Sequence, residues 1–209
     1  MKITNEDNMK LMARYEDNYF DLAIVDPPYG INASEMTMGS GKNKKYKKGK
    51  KWDKETPTNE YFLELQRVSK NQIIWGGNYF SEKLNPSRCY IFWDKGINGD
   101  CDFADGELAW CSFDKVLRIA PIRYKGFLGA DNVRIHPTQK PVKLYEWLLM
   151  NYAKEGYKIL DTHLGSGSIA LACHNLNFDL TACELDKDYY DTAIKRINQH
   201  KAQLTIFND

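Results

Sequence analysis

The stretch Lys158-Ile159-Leu160-Asp161-Thr162-His163-Leu164-Gly165-Ser166-Gly167-Ser168 decides the fold. A short apolar run that ends in an acid reads as a buried parallel strand whose carboxyl end opens onto a ligand crevice. The glycines that follow permit positive φ and let a ligand approach the backbone closely, and Ser168-Ile169-Ala170-Leu171-Ala172 then starts a helix. Alone, such a loop reads as readily as a plain strand-to-helix turn. The next apolar run, Asp179-Leu180-Thr181-Ala182-Cys183, ends in Glu184. An acid about twenty residues beyond the glycine loop, at the tip of the next strand, is placed to accept hydrogen bonds from ribose hydroxyls. The spacing is Gly-x-Gly with no third glycine, so this is not the dinucleotide fingerprint. It reads as the site of a nucleoside cofactor.

Near the start, Leu22-Ala23-Ile24-Val25 runs into Asp26-Pro27-Pro28-Tyr29-Gly30. Two consecutive prolines fix φ and remove two backbone donors, leaving a stiff, extended segment that offers only carbonyl acceptors. Asp26 adds a carboxylate acceptor, and Tyr29 a flat aromatic face. Acceptors beside a stacking ring suit the exocyclic amine of a base extruded from its stack. Such an amine is a poor nucleophile, because its lone pair is conjugated into the ring. Hydrogen bonds from both N–H groups to Asp26 and the Pro27 carbonyl favour a tetrahedral nitrogen and free that pair. The competing reading is a proline-rich turn with Tyr29 as packing.

Composition fits a soluble enzyme. The chain has 209 residues, 43% hydrophobic and 27% charged, which suits one domain with a substantial core. No apolar run approaches the roughly twenty residues of a membrane span, and no signal-peptide segment opens the chain. Cys89, Cys101, Cys111, Cys173 and Cys183 are odd in number and form no Cys-x-x-Cys pair. They read as reduced core residues of a cytoplasmic protein. No metal site is implied.

The net charge of +1 conceals an asymmetry. Seven of the ten residues from Lys42 to Lys51 are lysine (Lys42, Lys44, Lys45, Lys47, Lys48, Lys50 and Lys51), and none is acidic. Glycines at 39, 41 and 49 punctuate the run. A loop spanning about 33–56 is expected here, either simply solvated or acting as a phosphate-contacting arm. Its place directly after Asp26 to Tyr29 favours the arm, which would overhang the active site.

Elsewhere, Lys2 to Thr4 reads as a strand and Asp7 to Tyr15 as a helix. Asn59 to Ser69 reads as an amphipathic helix with Tyr61, Phe62 and Leu65 on one face. Gln72 to Trp75 and Cys89 to Trp93 look like buried strands, while Glu107 to Phe113 and Val116 to Ile119 could form an antiparallel pair. Pro141 opens a helix, and Tyr190, Ala193, Ile194 and Ile197 mark a last one. Alternating strands and helices predict an α/β fold, a mostly parallel central sheet with helices on both faces.

Asp-Pro-Pro-Tyr together with Asp-x-x-x-Gly-Ser-Gly resembles the S-adenosylmethionine-dependent DNA amino-methyltransferases. The catalytic motif precedes the cofactor motif, as in their permuted β class. His136-Pro137-Thr138-Gln139-Lys140-Pro141 matches that class closely. The segments Ile73-Ile74-Trp75-Gly76-Gly77-Asn78-Tyr79-Phe80 and Phe103-Ala104-Asp105-Gly106-Glu107-Leu108-Ala109-Trp110 are similar to its small phage and prophage members. The resemblance runs from about Ile3 to about Asn198 and implies a Rossmann-like methyltransferase fold over a single domain, residues 1–209. One departure is His163, where the family usually has Phe or another apolar residue beside the methionine portion of the cofactor.

The resemblance implies the following roles. Asp26, Pro27, Pro28 and Tyr29 hold the target amine and stack its ring. Asp161, Leu164, Gly165, Gly167 and Ser168 contact the methionine end of S-adenosylmethionine, and Glu184 binds its ribose. His136, Thr138 and Lys140 lie beside the cofactor carboxylate, and Asp7 near its adenine. The partner is double-stranded DNA. Related permuted enzymes often dimerise, so a homodimer stays open beside a monomer, and a restriction partner stays open too. Asp at the first motif position accompanies adenine N6 in this family more often than cytosine N4, where Ser is usual. Adenine-N6 methylation is therefore expected, with cytosine N4 or a catalytically silent DNA-binding module as alternatives. Two intact motifs argue against the silent module. A target-recognition segment is expected over about 115–134, too short for a separate folded domain.

Overall fold

Leu22, Ala23, Ile24 and Val25 are all buried, although they alternate sides along one strand. That pattern requires a sheet covered on both faces. The computed structural model describes residues 1–32, 53–96, 104–122, 135–136 and 138–206, and side chains as far as 203. The elements in chain order are β1 (Lys2–Asn5), α1 (Asn8–Met12), β2 (Leu22–Val25), α2 (Asn59–Val68), β3 (Gln72–Trp75), a 3-10 turn (Gly77–Tyr79), β4 (Tyr90–Asp94), β5 (Gly106–Cys111) and β6 (Arg118–Ala120). There follow α3 (Val142–Tyr152), β7 (Lys158–Asp161), α4 (Ser168–Asn175), β8 (Asp179–Glu184) and α5 (Lys187–Ile206).

The strands form one eight-stranded sheet in the order β1-β8-β7-β2-β3-β5-β4-β6. Only β5 runs against the rest. Leu22 and Ile24 face a core built with Leu144 and Leu148 of α3, Ile169 of α4 and Ile197 of α5. Ala23 and Val25 face a second core with Leu11 of α1 and Phe62 and Leu65 of α2. The helices thus lie on both faces of the sheet, as the sequence predicts.

Two local expectations are corrected. The strand after β5 does not pair with it, because both edges of β5 are taken, by β3 and by β4. It is Arg118–Ala120 that forms β6, parallel to β4 at the rim of the sheet. The first helix is also shorter than Asp7 to Tyr15: Asp7 caps it by accepting the Lys10 amide hydrogen, and the chain leaves the helix after Met12. Among the described residues no helix is long and apolar enough to cross a membrane.

Candidate active site

The order β8-β7-β2 sets three parallel strands side by side, so Glu184 and Asp161 at two strand ends and Asp26 just beyond the third meet at the carboxyl end of the sheet. That end opens into a cavity of about 470 Å³, bordered by Asp7, Asp26, His136, Leu164, Gly165 and Glu184 among others. The size suits a nucleoside-sized ligand. Pro28, Thr138 and Lys140 also reach it.

Glu184 is held by two amides. Its Oε2 accepts from Gly165 N–H and its Oε1 from Asp186 N–H, each at 2.9 Å. Burial pushes its carboxyl above the ordinary range, against those hydrogen bonds. Gly165 adopts φ +53, a conformation that favours glycine, and lies against the His136 ring. His136 in turn meets Tyr189 edge-on, with 4.5 Å between ring centroids.

Not every residue of the glycine turn faces the cavity. Asp161 is 2% exposed and lies behind the turn, where its Oδ1 accepts the His163 amide hydrogen at 2.9 Å. Burial pushes its carboxyl up to about 8. Gly167 takes φ +75 so that the chain can turn against α5: a Cβ there would stand 3.2 Å from Ile197 Cδ1. Ser168 is buried, 3.1 Å from the Ser166 hydroxyl, and accepts from Arg196 at 3.0 Å. Gly167 and Ser168 therefore pack within the fold, against Ile197 and Arg196 of α5.

His163 does border the cavity. Its Nε2 is 3.1 Å from Asn8 Nδ2 and its Nδ1 is 2.9 Å from the Thr162 hydroxyl, which lies 2.7 Å from the buried Tyr61 hydroxyl. Burial pushes the imidazole down to about 4, so it is neutral at pH 7.

On the other side of the cavity, Tyr29 donates its hydroxyl hydrogen to Asp26 Oδ1 at 2.7 Å. One face of the Tyr29 ring is already stacked on Tyr79, with centroids 4.9 Å apart and planes 13° apart. Gly76 is packed so close that a Cβ would stand 2.3 Å from Tyr29 Cε1. Asp53 Oδ1 accepts the backbone hydrogens of Tyr29 and Gly30, at 2.7 and 2.9 Å, and fixes the loop after the prolines. Pro27 is buried beneath the cavity rim, whereas Pro28 lines it.

Lys140 reaches the cavity with its ammonium turned to Asp26. Its ammonium, 3% exposed as a residue, lies 2.6 Å from Asp26 Oδ2 and 2.9 Å from Glu107 Oε2. A buried cation needs anions, and these two carboxylates supply them. Lys95 holds the other oxygen of Glu107 at 2.7 Å. Burial opposes ionisation of Glu107, yet Lys140 and Lys95 outweigh it and hold its carboxyl down at about 2. Burial pushes Asp26 up, with Lys140 opposing. Glu107, Lys95 and Asp53 were not singled out as site residues from the sequence, although a charged residue amid the apolar side chains of β5 was a usable signal. Lys42 to Lys51 lie outside the described residues, as does most of the 115–134 segment.

Residues 112–195 match the family model described as DNA methylase, of the N6/N4 type. Type II methyltransferase M.HpaI of Haemophilus parainfluenzae is 36% identical over 91% of this chain and 72% of its own length. The chain belongs to the N6/N4 DNA methyltransferases. Among solved structures, the fold of this methyltransferase is similar to that of the M1.HpyAVI–SAM complex, with a TM-score of 0.62 at 21% identity over 93% of this chain and 98% of that one. It is also similar to the PvuII DNA methyltransferase (cytosine-N4-specific), with a TM-score of 0.59 at 11% identity over 95% and 90%.

Proposed function

We propose that this chain, acting as one domain, transfers the methyl group of S-adenosylmethionine to the exocyclic N6 amine of adenine in double-stranded DNA, on a base flipped out of the helix. The observation that carries the cofactor is the sign of the cavity. Among the described residues, Glu6, Asp7, Asp26, Glu184 and Asp186 reach it, against one ammonium, that of Lys140. Such a wall repels the phosphates of a nucleotide and suits a cationic nucleoside. Glu184 fits the ribose, because each of its oxygens spends one lone pair on an amide and keeps another for a hydroxyl hydrogen.

When bound, the cofactor supplies an activated methyl group on a positively charged sulfur. The chain supplies position. Asp26 sits where the cavity meets the Tyr29 loop, and its oxygens accept N–H hydrogens of the target amine, drawing the nitrogen toward tetrahedral geometry. The Pro27 carbonyl is the second acceptor, and the rigid prolines keep it in place. In-line displacement then depends chiefly on alignment. The alkylated nitrogen sheds one proton afterwards, so Asp26 need not be a strong base.

Adenine is favoured by the aspartate at the head of the motif, as the family resemblance implies. Lys42, Lys44, Lys45, Lys47, Lys48, Lys50 and Lys51 are assigned to phosphates, and the segment of about 115–134 to reading a short site of roughly two to four base pairs. Incubation with labelled S-adenosylmethionine and genomic DNA, followed by nucleoside analysis, tests the reading. N6-methyladenine is expected. N4-methylcytosine alone would overturn the choice of base, and no transfer at all would overturn the reading.

A further inference from the structure

Lys140 belongs by sequence to the segment expected beside the cofactor carboxylate, yet its Nζ is 2.6 Å from Asp26 Oδ2, 2.9 Å from Glu107 Oε2 and 3.3 Å from the Tyr29 hydroxyl. Lys95 closes the series on Glu107 at 2.7 Å. Anion and cation alternate through Asp26, Lys140, Glu107 and Lys95, and the four charges balance. The Lys140 ammonium also lies over the Trp75 ring, 5.2 Å from its centroid. We infer that Lys140 is the counter-ion that keeps Asp26 a carboxylate turned toward the target amine, and that Glu107 is a positioning residue acting through Lys140. This rests on the amine methylation proposed above and assigns to it two residues from outside the Asp-Pro-Pro-Tyr motif.

The chemistry demands one protonation state of Asp26. A carboxylate is acceptor-only, whereas a protonated carboxyl presents an O–H donor to an amine that itself offers N–H donors. Burial favours the protonated form. The groups facing Asp26 are the Tyr29 hydroxyl from its own loop, Lys140 from the segment before α3, Tyr145 from α3, Glu107 from β5 and Asp161 from β7. Glu107 disfavours a second negative charge nearby, whereas Asp161, itself pushed up to about 8, is protonated at neutral pH. Among the described residues, Lys140 is the only cation in that set. The Tyr29 hydroxyl engages Oδ1 and Lys140 engages Oδ2, so each oxygen keeps a lone pair for the substrate.

Glu107 accounts for the precision of the contact. A lysine stem is flexible and its ammonium is a point charge without a preferred plane. A second carboxylate at 2.9 Å fixes the head between two anions, and Glu107 is itself held by Lys95 and carried on β5.

The test uses the full chain with S-adenosylmethionine and DNA, comparing Lys140→Met and Glu107→Gln with the unaltered protein. Readouts are the pH profile of kcat, the cofactor Kd and the ¹³C carboxyl shift of Asp26 as pH is varied. In Lys140→Met the acidic limb of kcat and the Asp26 titration should both move up by about two pH units, within the range for loss of an adjacent opposite charge. Activity should return at high pH, with cofactor Kd within about threefold. In Glu107→Gln both should move down, because one like charge has gone and Lys140 then serves Asp26 alone. An unmoved Asp26 titration in either variant overturns the inference. So does a tenfold loss of cofactor affinity in Lys140→Met without a shift of the limb, which would place Lys140 on the cofactor. If Lys140→Met does not fold, Glu107→Gln still decides. The carboxyl titration reads the ion pair whether or not the chain methylates DNA, so a failure of the methylation reading is seen separately, as no transfer by the unaltered protein.

Discussion

Gly165 donates its amide hydrogen to Glu184 at 2.9 Å, which ties the turn after β7 to the tip of β8. The tie presets the carboxylate before any ligand arrives. Glu184→Ala should therefore raise the Kd for S-adenosylmethionine at least tenfold, since hydrogen bonds to a charged group contribute about 1.5–3 kcal/mol. Asp26→Ala should abolish methyl transfer and leave that Kd within about threefold. Calorimetric titration beside a transfer assay separates the two, and equal loss of cofactor binding in both variants would contradict the division.

The buried imidazole of His163 makes stability depend on pH. Its folded value is pushed down to about 4 from the ordinary 6.5, so between these limits the unfolded chain binds more protons. The contribution is fully present above pH 6.5 and is lost as pH falls toward 4. His163→Phe removes this linkage. Thermal melts should show the unaltered protein losing more Tm between pH 7 and pH 5 than the variant loses. Parallel curves would mean that the imidazole is not neutral in the fold.

Asp53 is expected to act on turnover through the Tyr29 loop. Asp53→Ala strands two part-buried amides, at about 1–3 kcal/mol each, and loosens the loop. Such misplacement can cost about 100-fold in rate. Asp53→Asn keeps one acceptor oxygen and should retain most of kcat. Steady-state kinetics on both variants decides: an Asn variant as slow as the Ala variant would show that charge, not the hydrogen-bonded geometry, is what matters.

For the lysines between Lys42 and Lys51, salt is the probe. DNA affinity falls with salt at a log–log slope of about −0.9 per phosphate contact. Replacing four of them with glutamine should flatten that slope and weaken binding to all sequences alike. An unchanged slope would mark the run as a solvated loop.

The strand ends were legible in sequence because short apolar runs stop at acids: Val25 before Asp26, Leu160 before Asp161 and Cys183 before Glu184. Parallel pairing then brings those acids to one end of the sheet. The order of the outer strands was not legible, since β5 finds its place between β3 and β4 through free edges that no local pattern records. The ion pairs of the site were hidden for a related reason. Lys140 and Asp26 are 114 residues apart, and the segment around Lys140 gives no local sign that its ammonium pairs with Asp26. Gly167 differs from Gly165 in a way no local pattern records: it packs against Ile197 and does not border the cavity.

Asn32 donates its amide hydrogen to the Asp53 carbonyl at 3.0 Å, so the segment of residues 33–52 leaves and rejoins the fold at one point. With both ends pinned beside Tyr29, a change in the number of residues between them is expected to leave the site's carboxylates where they are. The segment is thereby an interchangeable part. If its lysines meet phosphates as proposed, its charge can be rewritten to change the grip on DNA, with the carboxylates at the strand ends left in place.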